Sequence, residues 1–304
     1  MELSERLLVS VVIPCLNGAR FVGDTIDSIL GQDYPHIECV VADGGSTDGT
    51  VEILKGYGNR IRWISEPDQG PGDAANKGWR MSQGAILGWL PVGDRWTVPS
   101  AVSQAVSYLD HHPDVDLVYG DCDRIDATGN VVGKTYRHEW DLAYAVEHCD
   151  HCIPGPAVFM RRDIVERIGW VDPQLIPLSD YDLWLRIGLV GTIRYMPVVL
   201  AQDLACPGHL SQKGDMIAAA CVTVVRKIFE HPEFPARLKR RQRVALSNAY
   251  LRGARYAYRN GRHYGVALQY VLRSLRLRPG NIGSVSWYGS RLIVEGVFPS
   301  VPRR

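Results

Sequence analysis

From Leu7 to Leu90 short apolar runs alternate with amphipathic stretches. Leu7–Pro14 is an apolar run rich in Val and Ile, which predicts a strand buried on both faces. After Asn17-Gly18, Phe21–Leu30 carries Ile26 and Leu30 at i,i+4 and predicts a helix. Ile37–Ala42 predicts a second strand, stopped by Asp43-Gly44-Gly45-Ser46-Thr47-Asp48-Gly49-Thr50. The Ser, Thr and Asp of that cluster suit the cap of a helix over Val51–Tyr57. Arg62–Ser65 predicts a third strand, Asp73–Met81 a helix and Ala85–Leu90 a fourth buried strand. This alternation predicts an α/β fold with a mostly parallel sheet and helices on both faces. Ligands of such sheets bind beyond the carboxyl ends of the strands. Asn17, Asp43, Glu66, Asp68 and Asp94 follow those ends and are candidates on that ground alone.

The pattern then loosens. Val98–His111 predicts a helix and Leu117–Asp121 a strand, and residues 122–160 read as edge strands and a loop. Arg161–Ile168 and Tyr181–Leu189 predict two helices. Beyond Ser211 the chain reads as mostly helical. Arg237–Asn260 and His263–Leu277 are basic amphipathic stretches broken at Gly261, similar to one tetratricopeptide-type pair. A single pair makes no solenoid, so packing on the preceding body is expected. The cluster His231-Pro232-Glu233-Phe234-Pro235 sets the expected boundary, with one domain over 1–230 and a helical extension over 231–304.

Composition changes this picture in one respect. The 304 residues are 46% hydrophobic and 22% charged, values of a globular chain that exclude extensive disorder. The net charge of +1 hides an asymmetry. Residues 237–304 hold 15 Lys and Arg against Glu295 alone, a net of +14, and the first 236 residues carry −13. A tail so basic points to an anionic surface. Nucleic acid is not the expected partner, because Tyr250, Tyr256, Tyr258 and Tyr264 sit at helical spacing and read as packing residues rather than stacking platforms. The longest apolar stretches, Leu7–Leu16 and Met216–Val225, fall well short of the roughly 20 residues a membrane span needs. The start Met1-Glu2-Leu3-Ser4-Glu5-Arg6 lacks the basic opening of a secretory signal. Seven scattered cysteines suit reduced thiols in the cytoplasm. His148-Cys149-Asp150-His151-Cys152 contains a C-x-x-C, but zinc sites show a second ligand pair and none is evident nearby.

Several motifs in order resemble the family 2 glycosyltransferases. They are Val9–Pro14 with Asn17, Ser28-Ile29-Leu30-x-Gln32, Asp43–Thr50, Ser65-Glu66-Pro67-Asp68-Gln69-Gly70, Asp73-Ala74-x-Asn76-Lys77-Gly78, and Asp180-Tyr181-Asp182-Leu183-Trp184-Leu185-Arg186. The resemblance covers roughly residues 7 to 211. It implies the GT-A nucleotide-sugar fold and an inverting transfer from a nucleotide-diphosphate sugar to an acceptor hydroxyl. It further implies that Asp43 contacts the nucleotide base, with Asn17, Asp73 and Asn76 lining the nucleotide site. Asp180 matches the catalytic carboxylate, a residue type able to accept the acceptor proton; Ser179 stands where relatives carry Glu. Were Asp180 to start the following helix, it could instead cap it.

The metal motif departs from the family pattern. Relatives carry an Asn-Ser-Asp-Asp type stretch, whereas Leu90-Pro91-Val92-Gly93-Asp94-Arg95-Trp96 keeps one acid. Asp94, with His209, is the candidate ligand set for Mg2+ or Mn2+, and a single carboxylate predicts weaker metal affinity than two. The setting such relatives imply is cell-surface polysaccharide or glycolipid assembly. The expected acceptor is a glycan or lipid-linked, and the enzyme is expected at the inner face of the plasma membrane through the 237–304 tail. The alternative is a non-catalytic nucleotide-sugar-binding protein with a degenerate metal motif.

Overall fold

Strand β1 (Val9–Cys15) is buried along its whole length. Val9, Val11, Ile13 and Cys15 enter one hydrophobic core and Val12 enters another on the opposite face. That is the two-sided burial its apolar run predicts. The computed structural model describes residues 7–135, 137–150, 152–205, 214–261 and 263–281.

β1 lies between β2 (Ile37–Asp43) and β4 (Ile86–Trp89), parallel to both, and β3 (Arg62–Ser65) extends the sheet beyond β2 in the same sense. Helices α1 (Val22–Leu30), α2 (Thr50–Gly56) and α3 (Pro71–Met81) are the crossovers. Next come β5 (Arg95–Trp96), α4 (Ala101–His111), β6 (Leu117–Ile125), β7 (Val131–Thr135), α5 (Leu142–His148), β8 (Val158–Arg161), α6 (Arg162–Ile168), α7 (Ser179–Val190) and β9 (Ile193–Leu204). The sheet runs β3-β2-β1-β4-β8-β6-β9-β5, with β7 paired to β6. β8 is antiparallel to both its neighbours, and β9 is parallel to β6. Residues of α1, α2 and α4 fill the core on one face of the sheet; residues of α3, α6 and α7 fill the other.

The second core is rich in tryptophan. Trp79 stands edge-on to Trp89 at 5.3 Å and stacks on Trp170 at 6.1 Å, and Trp89 meets Trp184 at 6.5 Å. Burying a large side chain contributes about 1.5–3 kcal/mol, so this cluster is a main anchor for α3 and α7.

The chain forms two compact units. Among the described residues, the first falls within Met1–Trp140, His151–Gln174 and Ser179–Cys206, and holds the sheet. The second falls within Asp141–Asp150, Leu175–Leu178 and Pro207–Arg304. It contains α5, α8 (Gly214–Glu230), α9 (Ala236–Lys239), α10 (Gln242–Gly261) and α11 (Tyr264–Leu277). α8 precedes the 231–235 junction read from the sequence, yet it clusters with the helices after it. The reason is the small core of Ala218, Ala254, Ala257, Ala267 and Val271, which lets α8, α10 and α11 approach closely. A Cβ on Gly253 would meet the Tyr270 ring at 2.8 Å and the Ala218 carbonyl at 3.0 Å. Tyr250 is buried edge-on to Tyr270 at 5.4 Å, and Tyr258 and Tyr264 pack on the alanine core.

The C-x-x-C is divided between the units. Cys149, at the carboxyl end of α5, hydrogen-bonds the Cys221 thiol of α8, and this bond together with burial pushes Cys221 well above the usual thiol range. Cys152 belongs to the first unit, with the Tyr119 hydroxyl 4.0 Å from its sulfur. His151 lies outside the described residues. The six described cysteines are buried, and Cys15, Cys39, Cys122 and Cys221 are thiols outside any disulfide.

Candidate active site

The ends of β1, β2, β3 and β4 are tied together beyond their last paired residues. Gly44 N–H donates to the Cys15 carbonyl at 2.8 Å, Glu66 N–H to that of Asp43 at 3.0 Å, and Val92 N–H to that of Pro14 at 3.2 Å. The loops carrying Asn17, Asp43, Asp68 and Asp94 therefore share one edge of the sheet, as strand order predicts.

Asp43, only 2% exposed, ends β2. Its Oδ2 accepts from the Ser46 N–H at 2.9 Å, the Gly45 N–H at 3.2 Å and the Ser65 hydroxyl at 2.6 Å; Oδ1 accepts from the Ser46 hydroxyl. These bonds fix the carboxylate and shape the loop around it. Asn17 adopts φ 51°, a left-handed conformation that Asn tolerates. Its Oδ1 accepts from the Thr47 N–H at 3.0 Å, and its own N–H donates to the Ser46 hydroxyl at 2.6 Å. Asp48 ties down the turn that leads into α2, whose N-cap is Gly49. It accepts from the Thr50 hydroxyl at 2.5 Å, from the Thr50 N–H at 3.1 Å and from the Ala19 N–H at 3.0 Å. Burial, with the Asp43 and Asp48 charges added, pushes the Cys15 thiol up to about 12.

Asp68 approaches Asp43 from the loop after β3. Burial raises its pKa above the ordinary carboxylate value, and the Asp73 and Asp43 charges add to that. The Gly70 N–H, donating to Asp68 at 2.7 Å, and the Lys77 cation offset part of the rise. Gly44 leaves the space Asp68 occupies: a Cβ there would lie 2.5 Å from the Asp68 Oδ2. Asp73, in the first turn of α3, accepts from the Gln69 N–H at 3.1 Å and lies 3.7 Å from Lys77. Lys77 also reaches Glu66 at 3.0 Å and the Pro67 carbonyl at 2.7 Å.

Asn76, 4% exposed, has a use the sequence did not suggest. Its Nδ2 donates to the Val171 carbonyl at 2.8 Å, and its Oδ1 accepts from the Val171 N–H at 3.0 Å. Close by, a Cβ on Gly72 would meet Val171 at 2.8 Å and the Ser179 hydroxyl at 3.2 Å. The start of α3, with Asp73, is thereby pressed against the start of α7, with Asp180. Asp180 is the second residue of α7, half-buried, and its Oδ1 accepts from the Tyr181 N–H at 2.7 Å. Asp182 points the other way. It is 1% exposed and pairs at 2.8 Å with Arg186, whose guanidinium also donates to the Ile168, Gly169 and Trp170 carbonyls. Asp182 therefore supports the fold while Asp180 meets solvent.

Asp94 is 7% exposed, and its Oδ1 accepts from the Leu204 N–H at 2.8 Å. Burial pushes its carboxyl well above the usual range; Asp203 adds to the rise, and the Leu204 N–H and Arg124 oppose it. Gly93, at φ 99°, shapes the loop, and its N–H donates to the Thr25 hydroxyl at 3.0 Å. The Arg95 Nε donates to the Gln202 side chain of β9 at 2.8 Å. His209 lies outside the described residues.

Residues 10–169 match the profile of Glycosyl transferase family 2. The chain belongs to that family. An uncharacterized glycosyltransferase of Rickettsia prowazekii is 30% identical over 205 residues, covering 64% of this chain and 63% of the relative. The chain thus matches less than two thirds of that relative's length. A PGL/p-HBAD biosynthesis glycosyltransferase of Mycobacterium tuberculosis is 30% identical over 202 residues, covering 64% of this chain and 75% of the relative. Two solved structures share the fold. S. aureus TarS 1-349 in complex with UDP-GlcNAc gives a TM-score of 0.68 at 17% identity, over 89% of this chain and 79% of its own. The mannosyltransferase PcManGT of Pyrobaculum calidifontis, in complex with GDP-Man and Mn2+, gives 0.64 at 18%, over 95% and 81%. The fold of this family 2 chain is of the GT-A type, as the motif order implies.

Proposed function

We propose that the chain moves a sugar from a nucleotide-diphosphate sugar to an acceptor hydroxyl in one inverting displacement. The observation that carries this reading is the gathering of Asp43, Asp68 and Asp73 at one sheet edge, with Asp180 on the helix pressed against α3. In this reading Asp43 accepts a ring N–H of the base. Asn17 and Asp73 line the nucleotide, and Asn76 shapes the site by fixing Val171. Asp180 takes the acceptor proton as the new bond to the anomeric carbon forms and the bond from that carbon to the diphosphate breaks.

The donor set at Asp94 suits an ion held mainly by substrate. One carboxylate oxygen is engaged by Leu204, leaving the other to join the phosphate oxygens; His209 is the second candidate ligand. Bound there, Mg2+ or Mn2+ would neutralise charge on the departing diphosphate. The PcManGT complex with Mn2+ supports such an ion. The relative named for PGL/p-HBAD biosynthesis supports a glycolipid or lipid-linked acceptor. We place the enzyme at the cytoplasmic face of an anionic membrane, held peripherally by its basic tail. No helix among the described residues is long and apolar enough to cross a membrane.

A thermal-shift panel of UDP- and GDP-sugars, with and without Mn2+, tests donor binding, since a ligand of the native state raises Tm by mass action. A non-catalytic binder would show the shift yet release no nucleoside diphosphate on addition of acceptor lipid extract.

A further inference from the structure

We propose that the solvent face of α11 is a membrane-docking surface, seated on anionic lipid. This rests on the peripheral-membrane reading above and assigns it to particular residues. Along α11 the exposed positions are Gly265, Leu268, Gln269, Leu272, Arg273 and Arg276. They form one stripe at i, i+3, i+4 spacing. The opposite stripe, Ala267, Val271 and Ser274, is buried against the unit's own core. Leu268 and Leu272 stand one turn apart, 47% and 49% exposed. Two leucines left in water on one face, with arginines beside and beyond them, make the mixed apolar and cationic surface of an interfacial helix.

The charge carried by α10 and α11 themselves has one sign, and Asp215 of α8 lies 4.0 Å from His263, just before α11. Residues 237–281 contain no acid. Arg243 donates to the Leu277 carbonyl at 3.1 Å, which brings the start of α10 to the end of α11. That end of the hairpin therefore collects exposed Arg243, Arg276 and Arg278, with Arg237, Lys239 and Arg240 preceding them on and after α9. Arg241 and Arg252 are different: they pair with Glu147 at 2.6 Å and Asp150 at 3.8 Å inside the same unit. A second copy seated on this face by a two-fold axis would bring arginine against arginine, so self-association does not suit it. Anionic lipid supplies both the negative charge and the apolar depth that the two leucines need.

The test is vesicle flotation of the full chain with phosphatidylglycerol-containing or pure phosphatidylcholine vesicles. The variants are Leu268→Ser/Leu272→Ser and Arg276→Gln, with circular-dichroism melting as the folding check. The expected result is flotation with the anionic vesicles alone, weakened by salt. The double leucine variant should lower the partition coefficient on the order of tenfold, and Arg276→Gln several-fold, at unchanged Tm. If the parent chain floats and the folded leucine variant floats equally well, the α11 face is wrong and docking lies elsewhere on the tail. If the parent chain does not float at low salt, the membrane reading fails together with the face. Loss of a dimer in the leucine variant, or tighter binding to an RNA duplex than to vesicles, would likewise overturn it.

Discussion

Asn76 and Val171 exchange two hydrogen bonds, Nδ2 to carbonyl at 2.8 Å and N–H to Oδ1 at 3.0 Å, where α3 meets the segment that leads to α7. The pair sets the position of one candidate carboxylate, Asp180, relative to another, Asp73. Asn76→Ala leaves a buried N–H and carbonyl of Val171 without partners, at a cost of about 2–4 kcal/mol. Tm should fall by roughly 4–16 °C. Turnover should fall further than donor affinity, because the α7 carboxylate moves while Asp43 stays. Equal loss of both, measured by calorimetry and steady-state kinetics, would contradict a positioning role.

Gly44 and Gly56 make a matched pair of tests. A Cβ at Gly44 would lie 2.5 Å from the Asp68 carboxylate, whereas nothing lies within 4 Å of one at Gly56. Gly44→Ala should displace Asp68 and weaken donor binding about tenfold, an effect worth ~1.4 kcal/mol. Gly56→Ala, at the end of α2, should leave binding unchanged and hold or raise stability by about 0.5–1 kcal/mol. Isothermal titration with the donor found by thermal shift reads both.

Asp180 and Asp182 lie two residues apart and should behave oppositely. Asp182→Ala breaks a buried pair and strands the Arg186 charge, which costs about 3–5 kcal/mol. Asp180 is half-buried at the helix start, so Asp180→Asn should shift Tm little. Denaturant melts of the two variants check this; comparable destabilisation would mean that Asp180 is structural.

Glu38 gives the pH dependence, away from the site. Burial raises its pKa, but hydrogen bonds from the Ser10 hydroxyl, the Gln83 N–H, Arg62 and the Gly84 N–H outweigh it and hold the group below its ordinary 4.5. A lowered carboxylate contributes stability that is present above 4.5 and is lost as pH falls through the lowered value. Glu38→Gln should therefore be less stable than the parent by about 1–2 kcal/mol at pH 7. The gap should close below pH 4.5. A gap that widens on acidification, in Tm measured across that range, would reverse the sign of the account.

Much of the catalytic unit was legible because its elements obey simple periods. The apolar run of β1, the amphipathic stretch of α1 (though Leu30 of its i,i+4 pair proves exposed) and the polar cluster after β2 place Asn17 and Asp43 at one edge without coordinates. The contacts that tune the edge were not legible, because their partners are distant in sequence. Asn76 reads as a ligand residue until Val171, far along the chain, is seen to take both ends of its amide. Asp94 reads as a metal ligand from its place in the chain, but that β9 engages one of its oxygens through the Leu204 N–H is not visible there. Cys149 reads with Cys152, its near neighbour, while its thiol partner is Cys221. The α8 helix joins α10 and α11 through alanines that carry little hydrophobic signal of their own.

The most direct test of the central claim is nucleoside-diphosphate release on acceptor addition, comparing the parent chain with Asp180→Asn at matched, calorimetrically measured donor occupancy. The account predicts acceptor-dependent release by the parent and loss of at least about a hundredfold in the variant, with donor affinity and Tm unchanged. Near-full release by Asp180→Asn at unchanged donor binding would contradict it.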